Sequence, residues 1–168
     1  MKRDRIILVG FMGCGKTSVA KALAGQIDSD FIDLDSFITE RCGKSPAELI
    51  QQNGEQAFRE IETSALREVL TLDDAQVIAL GGGAWTIEEN RALVESHGYL
   101  AVWLDAPFEL CWSRIQSGDT VRPLAPDREA AQALYQSRRQ TYELASLKLA
   151  VDEPDSPESI ARRILQSA

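Results

Sequence analysis

Short apolar runs alternate with longer stretches of helical spacing along the chain. Ile6–Val9, Phe31–Leu34, Val77–Leu80, Leu100–Leu104 and Leu147–Val151 are nearly unbroken apolar runs, as strands buried on both faces require. Between them, apolar residues recur on one helical stripe, as Val19, Leu23 and Ile27 do. The alternation predicts an α/β fold with a parallel sheet flanked by helices. Helix starts are marked as well. Ser45 to Glu48 reads as an N-cap serine, a proline at the first helical position and a capping-box glutamate. Thr86 to Glu89 predicts a second box without the proline, and Ser156 starts the last helix. Gly98 reads as a residue just past a helix end, which gives the single histidine, His97, a structural place in the last turn.

Two insertions interrupt the alternation. Residues from about 36 to 75 are helical and charged. Residues from about 114 to 127 contain "SGDTVRPLAPD", rich in Gly, Pro and Asp, which predicts a mobile flap. A chain of 168 residues fits a single domain with a good-sized core.

Charge narrows the partners. Eighteen Lys and Arg stand against 26 Asp and Glu, a net charge of −8. Such a chain repels polyphosphate backbones and anionic lipid, so no nucleic acid and no membrane is expected. An anionic ligand must be held by a local cluster of basic residues. Cys14, Cys42 and Cys111 form no CxxC pair, which predicts free thiols in a reducing compartment. The basic start "MKRDR" precedes an apolar run too short for a signal segment, and no run approaches the about 18 residues of a membrane span. A cytoplasmic protein is expected.

Gly10 to Thr17, "GFMGCGKT", fits G-x-x-x-x-G-K-[ST] in full, with a strand before it and an amphipathic helix after it. The glycines let backbone N–H groups turn inward around phosphate oxygens, and the helix N-terminus adds partial positive charge. Lys16 would reach the β- and γ-phosphates, and Thr17 would offer its hydroxyl to Mg²⁺. The motif identifies a nucleoside triphosphate site and leaves the acceptor open. Cys14, inside the loop, reads as a small residue at a variable position.

Acceptor chemistry has several candidates. "FIDLDSF" sets Asp33 and Asp35 two apart at the end of a strand, where side chains two apart point the same way and such sheets bind ligands. One acid can order Mg²⁺ and its waters, and the other can accept a hydroxyl proton. Phe58, Arg59 and Glu62 lie together in the first insertion, with Arg59 and Glu62 three apart on a helix; read alone they are a surface ion pair. Gly81, Gly82 and Gly83 follow an apolar strand, which points to close approach of a ligand to bare backbone. Arg122 lies in the flap, and Arg138 and Arg139 precede the last strand. Arginine suits carboxylates and phosphates because its fork engages two oxygens at once.

In this order and spacing the P-loop, "DLD", "FREIE", "GGG", "VRPL" and an arginine four residues before Tyr142 resemble the shikimate kinases, from about Ile6 to Leu165. The resemblance implies a three-layer P-loop fold related to nucleoside monophosphate kinases, with a five-stranded parallel sheet in the order 2-3-1-4-5. It implies ATP-dependent phosphorylation of the 3-hydroxyl of shikimate, on the way to chorismate and aromatic amino acids. ATP and shikimate would be the partners of a monomer. Gly13, Cys14, Gly15, Lys16, Thr17 and Ser18 would cradle ATP, with Thr17 on Mg²⁺ and Asp33 acting through the metal's waters. Asp35 would hold the acceptor hydroxyls and serve as base. Arg59 and Arg138 would bind the carboxylate, with backbone of Gly81, Gly82 and Gly83 closing the site and Phe58 as its aromatic wall. Arg122 would be the lid arginine, and Arg114 and Pro154 would lie beside adenine. The family pattern R-x-P-L-Y is broken here by Gln140 in place of proline, which leaves Arg139 as an alternative to Arg138.

Two rivals remain. A kinase for gluconate or a nucleoside monophosphate shares the loop, but a second phosphate would want more basic charge. Arg41, Lys44, Arg59 and Arg67 face Glu40, Glu48, Glu55, Glu60, Glu62, Asp73 and Asp74 in the first insertion. A non-catalytic nucleotide sensor would need no acceptor base, and both Asp33 and Asp35 are present.

Overall fold

The computed structural model describes residues 5–72 and 75–168. Asp73, Asp74 and the basic start at residues 1–4 lie outside the described residues. In chain order the elements are β1 (Arg5–Val9), α1 (Lys16–Gln26), β2 (Asp30–Asp33), α2 (Leu34–Cys42), α3 (Pro46–Leu70), β3 (Ala75–Ala79), a 3₁₀ turn (Ala84–Thr86), α4 (Glu88–Ser96), β4 (Tyr99–Asp105), α5 (Phe108–Ser117), α6 (Arg128–Tyr142), β5 (Leu147–Ala150) and α7 (Pro157–Ser167). The strands form one five-stranded parallel sheet in the order β2-β3-β1-β4-β5, the order the resemblance implies.

Burial explains the apolar runs. β1 is central, with Ile7 beside Ile78 of β3 and Ala101 of β4. Ile6 to Val9 are 0–1% exposed because helices cover both faces. The chain leaves β1 toward β2 but leaves β4 toward β5. A crevice therefore opens at the C-terminal ends of the strands beside β1. Among the described residues, no helix is long and apolar enough to cross a membrane.

Local signals act as read at most helix ends. Ser45 and Glu48 form the reciprocal capping box, with bonds of 3.2 and 2.7 Å. The Ser156 hydroxyl accepts the Ser159 N–H at 3.1 Å. Gly98 sits past α4 at φ +72°. Two readings are corrected. The strand ends at Asp33 and Leu34 opens α2, because the Asp33 carboxylate caps that helix by accepting the Ser36 N–H at 2.9 Å. Asp35 therefore stands in the first turn of a helix, not on the strand. Thr86 caps no helix: its hydroxyl donates back to the Gly83 carbonyl at 2.6 Å within the 3₁₀ turn, and α4 begins at Glu88. α6 runs unbroken through Gln140, where a proline's pyrrolidine ring would have removed a helical hydrogen bond.

Candidate functional site

The P-loop joins β1 to α1. Gly10, Gly13 and Gly15 have φ of +147°, +79° and +98°. Gly13 is doubly constrained, since a Cβ there would lie 2.7 Å from the Cys111 carbonyl oxygen. α1 begins at Lys16, so the loop's amides gather at a helix N-terminus. The Lys16 ammonium donates to the carbonyls of Gly10 (2.7 Å) and Phe11 (3.1 Å), curled over the loop. The Thr17 hydroxyl donates to the Asp33 carboxylate at 2.5 Å. Ser18 follows it, exposed, in the first turn of α1. Arg114 reaches back from α5 to the Gly13 carbonyl at 3.1 Å. Pro154 lies in the turn between β5 and α7, and no bond among the described residues ties it to the loop.

Beside the loop is a cleft of about 580 Å³. It brings together Thr17, Asp33, Asp35, Phe58, Arg59, Glu62, Gly81, Gly82, Gly83, Arg122 and Arg138, which come from six separate stretches of chain. The glycines are needed for space. A Cβ at Gly81 would lie 2.7 Å from an Asp35 oxygen, and one at Gly83 would lie 2.1 Å from Arg59 Nη2. The flap enters the same cleft through Thr120 to Leu124.

Arg59 is fixed from its own helix. It donates to Glu62 at 2.6 Å and to Glu55 at 3.3 Å, and its guanidinium lies 5.3 Å from the Phe58 ring centre. Arg138 is treated differently. It is 5% exposed, and its Nη1 is buried without a hydrogen-bond partner, 3.2 Å from where a Gly82 Cβ would stand. A buried donor left open in this way is destabilising unless a ligand completes it. Arg139, one residue on, faces away: it donates to Asp105 at 2.6 Å and covers the Trp103 ring at 5.0 Å. That geometry separates the two arginines.

Burial, then the neighbouring Asp33, raises the pKa of Asp35 above the ordinary carboxylate value, against the pull of Lys16, Arg122 and Arg59. Burial also raises Glu62, opposed by Arg59. For Arg59, burial lowers the pKa but the Glu62 and Glu55 charges more than offset it. Burial lowers Arg138, with Tyr142 acting the other way. The cleft thus holds two carboxyl groups of unusual proton affinity beside one buried and one half-buried guanidinium group. It can orient a small anion at one end and accept a proton near the other.

The sequence reading missed the supports behind this wall. The Tyr142 hydroxyl donates to the Gly82 carbonyl, and the Trp85 indole N–H donates to the Thr141 carbonyl at 3.1 Å. The signal for Tyr142 was present, since four residues after Arg138 it shares that helix face. Trp85 carried none.

A family model for shikimate kinase matches residues 12–168. The chain belongs to the shikimate kinase family. It is 38% identical to the shikimate kinase of Salinibacter ruber over 96% of this chain and 83% of that one. It is 35% identical to the Enterococcus faecalis shikimate kinase over 97% of each. The shikimate kinase from Acinetobacter baumannii in complex with shikimate superposes with a TM-score of 0.88 at 32% identity, over 96% of this chain and 90% of that one. The Aquifex aeolicus enzyme gives 0.81 at 32%, over 97% and 95%. A gluconokinase from Sinorhizobium meliloti shares the fold at a TM-score of 0.64 and 20% identity, over 97% and 90%. This family member is therefore an enzyme, a phosphotransferase.

Proposed function

We propose that the protein transfers the γ-phosphoryl group of ATP to the 3-hydroxyl of shikimate, giving shikimate 3-phosphate and ADP for aromatic amino acid synthesis. The observation that carries this is the pair of guanidinium groups, Arg138 buried and Arg59 half-buried, beside bare glycine backbone in one cleft with Asp35. Two forks and a glycine turn suit a planar carboxylate, and a small cleft leaves the ring hydroxyls near Asp35. Phe58 would pack against the ring.

ATP would lie along Gly13, Cys14, Gly15, Lys16, Thr17 and Ser18, with Arg114 and Pro154 on the adenine side. Lys16 would exchange its carbonyl partners for phosphate oxygens. Among the described residues, no group of three or more His, Cys, Asp or Glu side chains gathers as a metal cage. The pair at the loop nevertheless fits Mg²⁺. A hydroxyl and a carboxylate at 2.5 Å are hard oxygen donors, with Thr17 a direct ligand and Asp33 acting through water. When bound, the ion would neutralise phosphate charge.

Asp35 would accept the hydroxyl proton as the acceptor oxygen bonds to the γ-phosphorus and the bond to ADP breaks. Its raised pKa makes it a better base than an ordinary carboxylate. Because the transition state is loose, Asp35 would position the oxygen as much as deprotonate it. Residues from about 36 to 75 would form the acceptor-binding region and those from about 114 to 127 the lid. Its Arg122 would swing toward the phosphates and help exclude water. We assign this chemistry to a single-domain cytoplasmic monomer.

The test is ADP release with ATP and Mg²⁺, with and without shikimate, by the wild type and Asp35→Asn. Release that depends on shikimate and is lost in the variant supports the proposal. Release that ignores shikimate would sink it.

A further inference from the structure

The segment Gly81–Trp85 has every carbonyl engaged. The Ala84 N–H donates to Gly81 at 3.2 Å, and Thr86 donates to Gly83 through its N–H at 3.1 Å and its hydroxyl at 2.6 Å. Ala84 accepts from the Ile87 N–H at 3.3 Å and the Asn90 amide at 2.9 Å, and Trp85 accepts from the Arg91 guanidinium at 2.7 Å. The Gly82 carbonyl is held from a distant helix, by the buried Tyr142 hydroxyl at the end of α6. Trp85 returns the grip by donating to Thr141 at 3.1 Å.

A trans peptide is planar, with its C=O and the following N–H pointing opposite ways. Holding the Gly82 carbonyl against Tyr142 therefore turns the Gly83 N–H away from the core, toward the cleft that both glycines line. The peptide concerned joins two glycines. It lacks the Cβ atoms that restrain rotation elsewhere, so it flips more easily than other peptides. Flipped, it would aim a carbonyl oxygen at the space between Arg59 and Arg138, where a carboxylate would meet repulsion in place of a donor.

We infer that Tyr142 is a positioning residue for the acceptor: its hydroxyl locks the Gly82–Gly83 peptide with the N–H facing the cleft. The inference rests on the acceptor reading above. Tyr142 touches no substrate: it acts through the Gly82 carbonyl to which it donates and through the Arg138 guanidinium that its hydroxyl also meets. The same bond presses the end of α6 onto the glycine segment, which keeps Arg138 beside it.

The experiment compares Tyr142→Phe, Trp85→Phe and a control, Tyr135→Phe, in steady-state kinetics with the full chain. Tyr135 lies on the same helix and its hydroxyl also donates to a buried carbonyl, that of Ala106 at 2.8 Å. Tyr142→Phe is expected to raise the KM for shikimate about tenfold, the scale of one buried polar group left unpaired, and to leave the KM for ATP within about twofold. It should also reduce the preference for shikimate over its methyl ester, because the locked N–H acts on the charged carboxylate. Tyr135→Phe should lower thermal stability without either change. Trp85→Phe should shift the shikimate KM in the same direction but less, and carries the test if Tyr142→Phe does not fold. An unchanged acid-over-ester preference in the folded Tyr142→Phe enzyme overturns the inference, as does a shift shared equally with Tyr135→Phe. Wild-type enzyme inactive on shikimate would overturn the acceptor reading and this inference with it. An active wild type with an unshifted Tyr142→Phe overturns this inference alone.

Discussion

Gly83→Ala separates folding from acceptor binding with a single methyl group. Gly83 has φ of −100° and ψ of −11°, a backbone that alanine adopts without strain. Its new Cβ would stand 2.1 Å from Arg59 Nη2 and 2.5 Å from Arg59 Cζ. That contact is impossible, so the guanidinium must move. Moving it spares the backbone, because the obstacle is the far end of a flexible side chain, but it parts Arg59 from the buried Glu62. It is expensive for the acceptor, because Arg59 leaves both Glu62 and the cleft. A hydrogen bond to a charged group contributes roughly 1.5–3 kcal/mol, which corresponds to about 10- to 150-fold in kcat/KM. The variant should still fold, with a stability loss of roughly 1–3 kcal/mol from the unpaired Glu62. Its kcat/KM for shikimate should fall by that factor while the KM for ATP stays within about twofold. Steady-state kinetics against each substrate, alongside a thermal melt, read both quantities. Wild-type kcat/KM for shikimate in a folded Gly83→Ala would refute the placement of Arg59 as a carboxylate ligand.

Other variants probe separate parts of the site. Arg138→Met removes a buried cation with an open donor; it should be about 1 kcal/mol more stable, roughly 2–4 °C in Tm, yet lose most of its affinity for shikimate. Arg139→Ala should show the reverse, losing about 1 kcal/mol from the partly exposed Asp105 pair with the shikimate KM within about twofold; the opposite pattern in these two variants would exchange their roles. Asp35 has a folded pKa above its unfolded one, so its ionisation destabilises the fold. The stability gained by Asp35→Asn should be absent below the unfolded carboxylate pKa, grow as pH rises through the folded one and then stay level, as thermal melts from about pH 3 to pH 8 would reveal. Burial, then Cys14, pushes the Cys111 thiol up to about 12, and Cys42 is exposed while Cys14 is buried. Alkylation at neutral pH should label Cys42 alone in the native protein and all three cysteines in denaturant.

The sheet was legible because its three inner strands, β1, β3 and β4, are largely buried and leave apolar runs, while the edge strands β2 and β5 are partly exposed and mix in Asp and Lys. The P-loop was legible because phosphate binding imposes glycine at fixed intervals. Asp35 was found but misplaced. Its neighbour Leu34 is apolar in a strand and in a buried helix turn alike, and the Asp33 cap that decides between them is a tertiary detail. The Thr86 box failed for a related reason: Thr86 itself ends a 3₁₀ turn and bonds back to Gly83, and the cap position of α4 falls to Ile87. The four-residue spacing to Tyr142 favoured Arg138 in sequence but left Arg139 as an alternative. What separates them is Asp105, far away in sequence, which draws Arg139 outward and leaves Arg138 over the glycines. The Trp85 and Tyr142 grips depend on where α6 docks, and no local pattern records that.

The most direct test of the two-substrate site is to identify the phosphorylated product. Enzyme, ATP and Mg²⁺ incubated in turn with shikimate, gluconate, AMP and CMP, and followed by phosphorus NMR, should give one new phosphomonoester signal. It should arise with shikimate alone and disappear in Asp35→Asn. A product from gluconate or a nucleotide, with none from shikimate, would contradict the account.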